Sequence, residues 1–240
     1  MMNKQNNLYT IIYIIVLVVL VGAALAFTSI SLKDRQQANA DADKMRQILA
    51  SVNIYPASDS IISEYGQYIT DSYLVDENGQ KVDGGMKAFD VNVAIQSKEQ
   101  ASKRLLPVYE CHLADGTAKY VMPMYGAGLW GPIWGYISVD ADGSTVYGAF
   151  FAHQGETPGL GAEIEKPAFS GQFAGKHLFK DGTFLPISVV KGGVAPQNGS
   201  DYVDGISGGT ITSKGVGAML DNCLAPYAKF LESIGSQPRN

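Results

Sequence analysis

Eleven residues, Asp204 to Lys214 (DGISGGTITSK), gather three glycines and four hydroxyl side chains directly ahead of an apolar helical rhythm. That rhythm predicts a helix starting near Thr212 or Ser213. The first turn of a helix leaves its N–H groups unpaired and carries partial positive charge. Glycines let the backbone fold back and come close to a ligand. Together these features favour a bound anion, most often phosphate. A helix cap needs one hydroxyl, whereas Ser207, Thr210, Thr212 and Ser213 place four within seven residues. The stretch is not a P-loop, because the Gly-x4-Gly-Lys-Ser/Thr spacing is missing. It is also not a dinucleotide GxGxxG following a parallel strand.

Other constellations are weaker. His112, His153 and His177 lie far apart, with no metal-ligand spacing, and no GxSxG hydrolase signature occurs. Glu163 and Glu165 read as surface or strand charges. Cys111 and Cys223 lack a CxxC partner and read as two buried thiols, with a single disulfide open if the domain lies outside the cytoplasm.

The elements that must position the hydroxyl-rich turn follow from composition and periodicity. Apolar residues make up 46% of the 240 and charged residues 17%, with a net charge of −5. That is enough for a core, too little charge for disorder, and no basic run for nucleic acid. Ile11 to Phe27 (IIYIIVLVVLVGAALAF) carries no charge. With its flanks it reaches about twenty residues, roughly 30 Å as a helix, one hydrocarbon thickness. A retained transmembrane helix is the expectation. A signal peptide cleaved after Ala24-Leu25-Ala26 is the rival, but the apolar run exceeds the usual signal length. Lys4 precedes the span, while Lys33, Arg35, Lys44 and Arg46 follow it; a strict positive-inside count puts the following domain in the cytoplasm.

Beyond the span, Leu32 to about Val52 lacks Gly and Pro and predicts a continuing helix. The expected organisation is 1–31 as tail and anchor, 32–53 as a juxtamembrane helix, and 54–240 as the folded domain. Turn signals at Asn78-Gly79, Asp115-Gly116, Asp142-Gly143 and Asp181-Gly182 each separate β-prone runs. AFDVNVAI, from Ala88, alternates at period two and predicts a strand, as does FLPISVV from Phe184. Pro167 predicts a helix start with Phe169 and Phe173 one turn apart. Val216, Met219, Leu220, Cys223, Leu224 and Tyr227 keep a helical rhythm, kinked at Pro226 and ending near Gly235. The fold class is therefore α+β: an N-terminal transmembrane helix, then a mostly antiparallel sheet packed with helices.

DGISGGTITS resembles the flavinylation motif of the FMN-binding domain family, Asp-Gly-x-Ser/Thr-Gly-Ala-Thr. Gly209 stands where that family normally has Ala. HQGETPGLGAEIEKPAFSGQFAGK, from His153 to Lys176, resembles the C subunits of the Na+-translocating NADH:quinone reductases. So do SLKDRQQANA after the anchor and GAGLWGPIWGYISV from Gly126. The likeness runs over essentially the whole chain.

The resemblance implies covalent FMN on Thr210 through a phosphoester, made from FAD by a flavin transferase that releases AMP. It implies that backbone amides from Ser207 through Gly208 and Gly209 to Thr212 hold the phosphate, and that the Glu156–Gly161 loop (Glu156, Thr157, Gly159, Leu160, Gly161) lines the ring. Pro158 fixes one backbone angle there, and the glycines permit close approach. Of Trp130 and Trp134, one is expected in the core, with Trp130 open to stacking on the ring. Lys191 is placed to offset phosphate or reduced-flavin charge, or to remain solvated. The resemblance also implies a single pass of a bacterial inner membrane, a periplasmic domain, and partner subunits that hold the NADH and quinone sites. Two alternatives stand: the equivalent subunit of an Rnf-type electron transport complex, and a membrane-anchored phosphate-ligand binding module without redox chemistry.

Overall fold

A computed structural model describes residues 7–236; Lys4, counted in the charge balance ahead of the span, lies outside the described residues. The chain forms two compact units, 1–44 and 45–240. Helix α1, Asn7–Ser51, runs without a break. It is long and apolar enough to cross a membrane. Its last turn belongs to the second unit, where Ile48, Leu49 and Val52 are buried.

In the second unit come α2 (Ile61–Tyr68), β1 (Ile69–Val75), β2 (Lys81–Val82), α3 (Val93–Gln96), β3 (Leu106–His112), β4 (Ala118–Ala127), β5 (Pro132–Asp140) and β6 (Val146–His153). These strands form one antiparallel sheet in the order β2-β1-β3-β4-β5-β6. There follow α4 (Pro167–Ser170), the hairpin β7 (Phe179–Lys180) and β8 (Thr183–Phe184), the parallel pair β9 (Ser188–Val190) and β10 (Tyr202–Asp204), then α5 (Thr210–Leu224) and α6 (Ala228–Gly235).

Every expected Asx-Gly turn joins a hairpin: β1 to β2, β3 to β4, β5 to β6 and β7 to β8. Gly79, Gly116, Gly143 and Gly182 all have φ between 71° and 81°, the left-handed region that admits glycine freely. Successive strand residues point to opposite faces, so Met122 and Met124 enter one core and Val121 another. The first core lies under α5, α6 and the ring cluster of Phe151, Phe169 and Phe173. The second is closed by Ile48 of α1 and Val52 just after it, with Tyr65 and Tyr68 of α2. Cys223 belongs to the first and Cys111 to the second, and both thiols are free.

Three expectations are corrected. AFDVNVAI is not a strand: Ala88–Asp90 is a 3₁₀ turn and Val93–Gln96 a short helix. Asn92 caps that helix by accepting the Ile95 N–H over 3.2 Å. The alternation in the sequence comes from Phe89, Val91, Val93 and Ile95; in the fold Ala88 and Val91, three apart, share one small apolar cluster instead. FLPISVV is split between β8 and β9, because Pro186 interrupts strand pairing. The last helix starts at Thr210, not Thr212 or Ser213. Pro226 breaks it through a 3₁₀ turn, Ala225–Tyr227, before α6. There the buried Tyr227 hydroxyl donates to the Pro107 carbonyl over 2.8 Å.

Candidate functional site

Strand β10 delivers the hydroxyl-rich turn. It pairs in parallel with β9, and the Gly205 N–H extends the pairing to the Val190 carbonyl over 2.7 Å. Gly208 takes φ +75°, and the Gly209 N–H closes the turn on the Ile206 carbonyl over 3.0 Å. Helix α5 then begins at Thr210. Gly209 occupies its N-cap position, so no side chain caps the helix, and the first-turn N–H groups face outward without one.

The four hydroxyls divide into two pairs. Ser207 and Thr210 are exposed, whereas Thr212 and Ser213 are buried. Ser213 Oγ accepts the Ile206 N–H over 2.8 Å. Thr212 Oγ1 donates to Glu156 Oε2 over 2.6 Å. The Thr212 hydroxyl is thus committed inward, and only its backbone N–H stays with the helix mouth. Helical phase carried the signal. Thr212 and Ser213 stand four and three residues before the buried Val216, on its face; Thr210, Ile211 and Lys214 do not.

The Glu156–Gly161 segment follows β6 and lies against this turn. The Leu160 and Ala162 N–H groups both bond the Thr157 carbonyl, at 3.1 Å each. Gly159, at φ +76°, donates to Glu163 Oε1 over 3.0 Å. A Cβ on Gly208 would meet Leu160 Cδ2 at 2.6 Å, and one on Gly209 would meet Gly161 Cα at 3.3 Å. The two glycine loops therefore come close backbone to backbone at Gly209 and Gly161, while Gly208 packs under the Leu160 side chain. Thr157, Gly159 and Leu160 are exposed; Gly161 is buried.

Glu156 was expected to line a ring. Its side chain is instead enclosed, with the residue 5% exposed. Oε1 accepts the Trp130 N–H over 2.8 Å, and the Leu129 N–H adds a further bond. Burial pushes this carboxyl up, but bonds from the Thr212 hydroxyl and the Trp130 and Leu129 amides outweigh it, and the group titrates below its ordinary range. Nothing in the sequence marked Glu156 as buried.

Trp130 itself projects outward, 69% exposed, on the β4–β5 turn. Neither tryptophan joins a core: Trp134 is half-buried and belongs to none of the apolar clusters, its indole donating to Gln47 Oε1 over 3.0 Å. Lys191 is exposed directly after β9, opposite the start of the hydroxyl-rich turn. The geometry brings Ser207, Gly208, Gly209, Thr210, Leu160 and Gly161 together, joins the Trp130 backbone to them through Glu156, and sets Lys191 one strand away. Leu129, Trp130, Leu160 and Ile211 all leave apolar surface exposed around the helix mouth. An exposed hydroxyl, uncapped amides and an apolar surround suit a ligand with a phosphate and a flat apolar body.

Comparison with known proteins decides the family. The chain is 33% identical to the C subunit of the Na(+)-translocating NADH-quinone reductase of Vibrio anguillarum, over 97% of this chain and 96% of that one. The chain belongs to the C-subunit family of these reductases. Residues 128–225 match the FMN-binding domain family, a span that holds both glycine loops and α5 up to its break. The crystal structure of the Parabacteroides distasonis C subunit is 50% identical, covers 87% of this chain and 98% of its own, and superposes with a TM-score of 0.78. NqrC of Shewanella oneidensis, 24% identical over 83% of this chain, shares the fold with a TM-score of 0.68.

Proposed function

We propose that this chain carries FMN esterified to Thr210 and relays electrons within a membrane-bound, sodium-translocating NADH:quinone reductase. Family membership and the FMN-binding domain match support an FMN-carrying subunit of that complex. The observation that carries covalent attachment is the exposed Thr210 hydroxyl at the first position of an uncapped helix. Attachment balances as a phosphoryl transfer. The Thr210 oxygen bonds the FMN-side phosphorus of FAD, the pyrophosphate bond breaks, AMP leaves with the bridging oxygen, and the hydroxyl proton is released. A flavin transferase is the partner for that step.

The flavin supplies the redox chemistry. This chain's residues bind and orient it. The Ser207, Gly208, Thr210, Ile211 and Thr212 amides hold phosphate charge at the positive end of α5, while the Gly209 N–H stays on the Ile206 carbonyl. Leu160 and the glycines beside it offer a close-approach wall, and Trp130 an exposed aromatic face. Lys191 adds positive charge near the turn. The apolar segment of α1 holds the domain at the bilayer. Attachment on the periplasmic side places Thr210 beyond the cytoplasmic pool of free flavin, where a covalent bond prevents loss.

Co-expression with a flavin transferase tests the reading. A denaturing gel under ultraviolet light is expected to show a fluorescent wild-type band and a dark Thr210→Val band, with an intact mass raised by one FMN less one water. A dark wild-type band, or a fluorescent Thr210→Val band, overturns it.

A further inference from the structure

We propose that Glu156 is a positioning residue. Its carboxylate ties the Leu129–Trp130 turn to the first turn of α5 through Thr212 and so sets where a ligand on Thr210 lies. This rests on the reading that Thr210 carries FMN. Burying a carboxylate is costly unless its oxygens are bonded. Here both oxygens are used, Oε1 by the Trp130 N–H at 2.8 Å and Oε2 by the Thr212 hydroxyl at 2.6 Å. No cation sits on it at bonding distance among the described residues, so the side chain is a bridge between two backbone segments and not half of an ion pair.

The surroundings are shaped for that bridge. A Cβ on Gly128 would collide with Glu156 Oε1, and one on Gly161 with both Glu156 Oε2 and the Thr212 hydroxyl. Glycine at these two positions is what leaves room for the carboxylate. The bridge also reaches both sides of the site. Trp130 and Leu129 present exposed apolar side chains from one end, and Thr210 stands two residues before Thr212 at the other. A charged bridge of this kind holds its partners more tightly than neutral ones do.

The test uses the full chain in detergent and the variants Glu156→Gln, Thr212→Val and Thr212→Ser. Without flavin, amide hydrogen exchange at Leu129 and Trp130 is expected to speed up about tenfold or more in Glu156→Gln and Thr212→Val, and to stay near wild type in Thr212→Ser, which keeps the donor. With flavin attached, iodide quenching of flavin fluorescence and the visible circular dichroism of the flavin are expected to change in the first two variants and to be restored in the third. Unchanged exchange at Trp130 in both Glu156→Gln and Thr212→Val overturns the bridge. Faster exchange with unaltered quenching and dichroism overturns its effect on the ligand. If Glu156→Gln does not fold, the Thr212→Val and Thr212→Ser pair decides alone. A wild type without flavin sinks the proposed function, while the exchange arm still reads the bridge.

Discussion

Ser213 Oγ, one turn inside α5, accepts the backbone N–H of Ile206 over 2.8 Å and so pins the turn before the helix onto the helix itself. Ser213 is buried, and its loss would leave that N–H without a protein partner. Ser213→Ala is expected to destabilise the domain by about 1–3 kcal/mol. Ser207→Ala, at an exposed position in the same turn, is expected to stay within about 0.5 kcal/mol of wild type while lowering flavin attachment. Urea unfolding of both variants, beside in-gel fluorescence, separates the hydroxyl that builds the turn from the one proposed to face the flavin phosphate.

Gly161 and Gly159 sit in one loop but answer to different constraints. A Cβ at Gly161 would strike the Glu156 carboxylate and the Thr212 hydroxyl, both held by each other, so neither can swing away. Gly161→Ala is expected to cost about 1–3 kcal/mol through overpacking, with flavin attachment lost. Gly159 has open space around it and a φ of +76°, so Gly159→Ala pays only the left-handed backbone cost, about 1–2 kcal/mol, and leaves the Glu156 bridge standing. Thermal unfolding with in-gel fluorescence checks the pair; equal loss of flavin in both would contradict it.

These contrasts show what could be read from the chain. The four Asx-Gly hairpins were legible because a left-handed turn residue is a local demand, met inside two residues. The β4–β5 turn at Gly128–Gly131 carries no such signal, and its role depends on Glu156, far along the chain. The motif singles out Thr210 as the proposed attachment point, and the structure leaves that residue exposed at the first position of α5. That Thr212 and Ser213 turn inward was available in principle, from running the apolar rhythm one turn back from Val216. The burial of Glu156 was not, because its partners come from two other segments and only the folded sheet brings them together.

The Glu156 carboxyl gives the site a pH signature with a definite sign. Its folded-state pKa is depressed below the ordinary 4.5, so the ionised form stabilises the fold above the unfolded value, and that contribution disappears as pH falls through the folded value. Wild-type stability is expected to fall on acidification below about pH 4.5. Glu156→Gln, with no proton to take up there, is expected to be less stable at neutral pH but to show a shallower acid loss. Urea titrations from pH 7 downward on both proteins read the difference. Parallel curves would mean the carboxylate is not ionised in the folded protein.

Cys111 and Cys223 lie in separate cores, one on each face of the sheet. Burial raises the Cys111 thiol to about 11, and it raises Cys223 as well, whose Sγ donates to the Tyr125 carbonyl over 3.3 Å. The thiolate is the reactive form, and both groups hold their protons at neutral pH. Neither can reach the other without unfolding the sheet between them. The native protein is expected to resist iodoacetamide at pH 8 and to take up two labels only in denaturant, as counted by intact mass. Its mobility on a denaturing gel is expected to be the same with and without reductant. Rapid native labelling at either position would show that the sheet opens on one face far more readily than its packing allows.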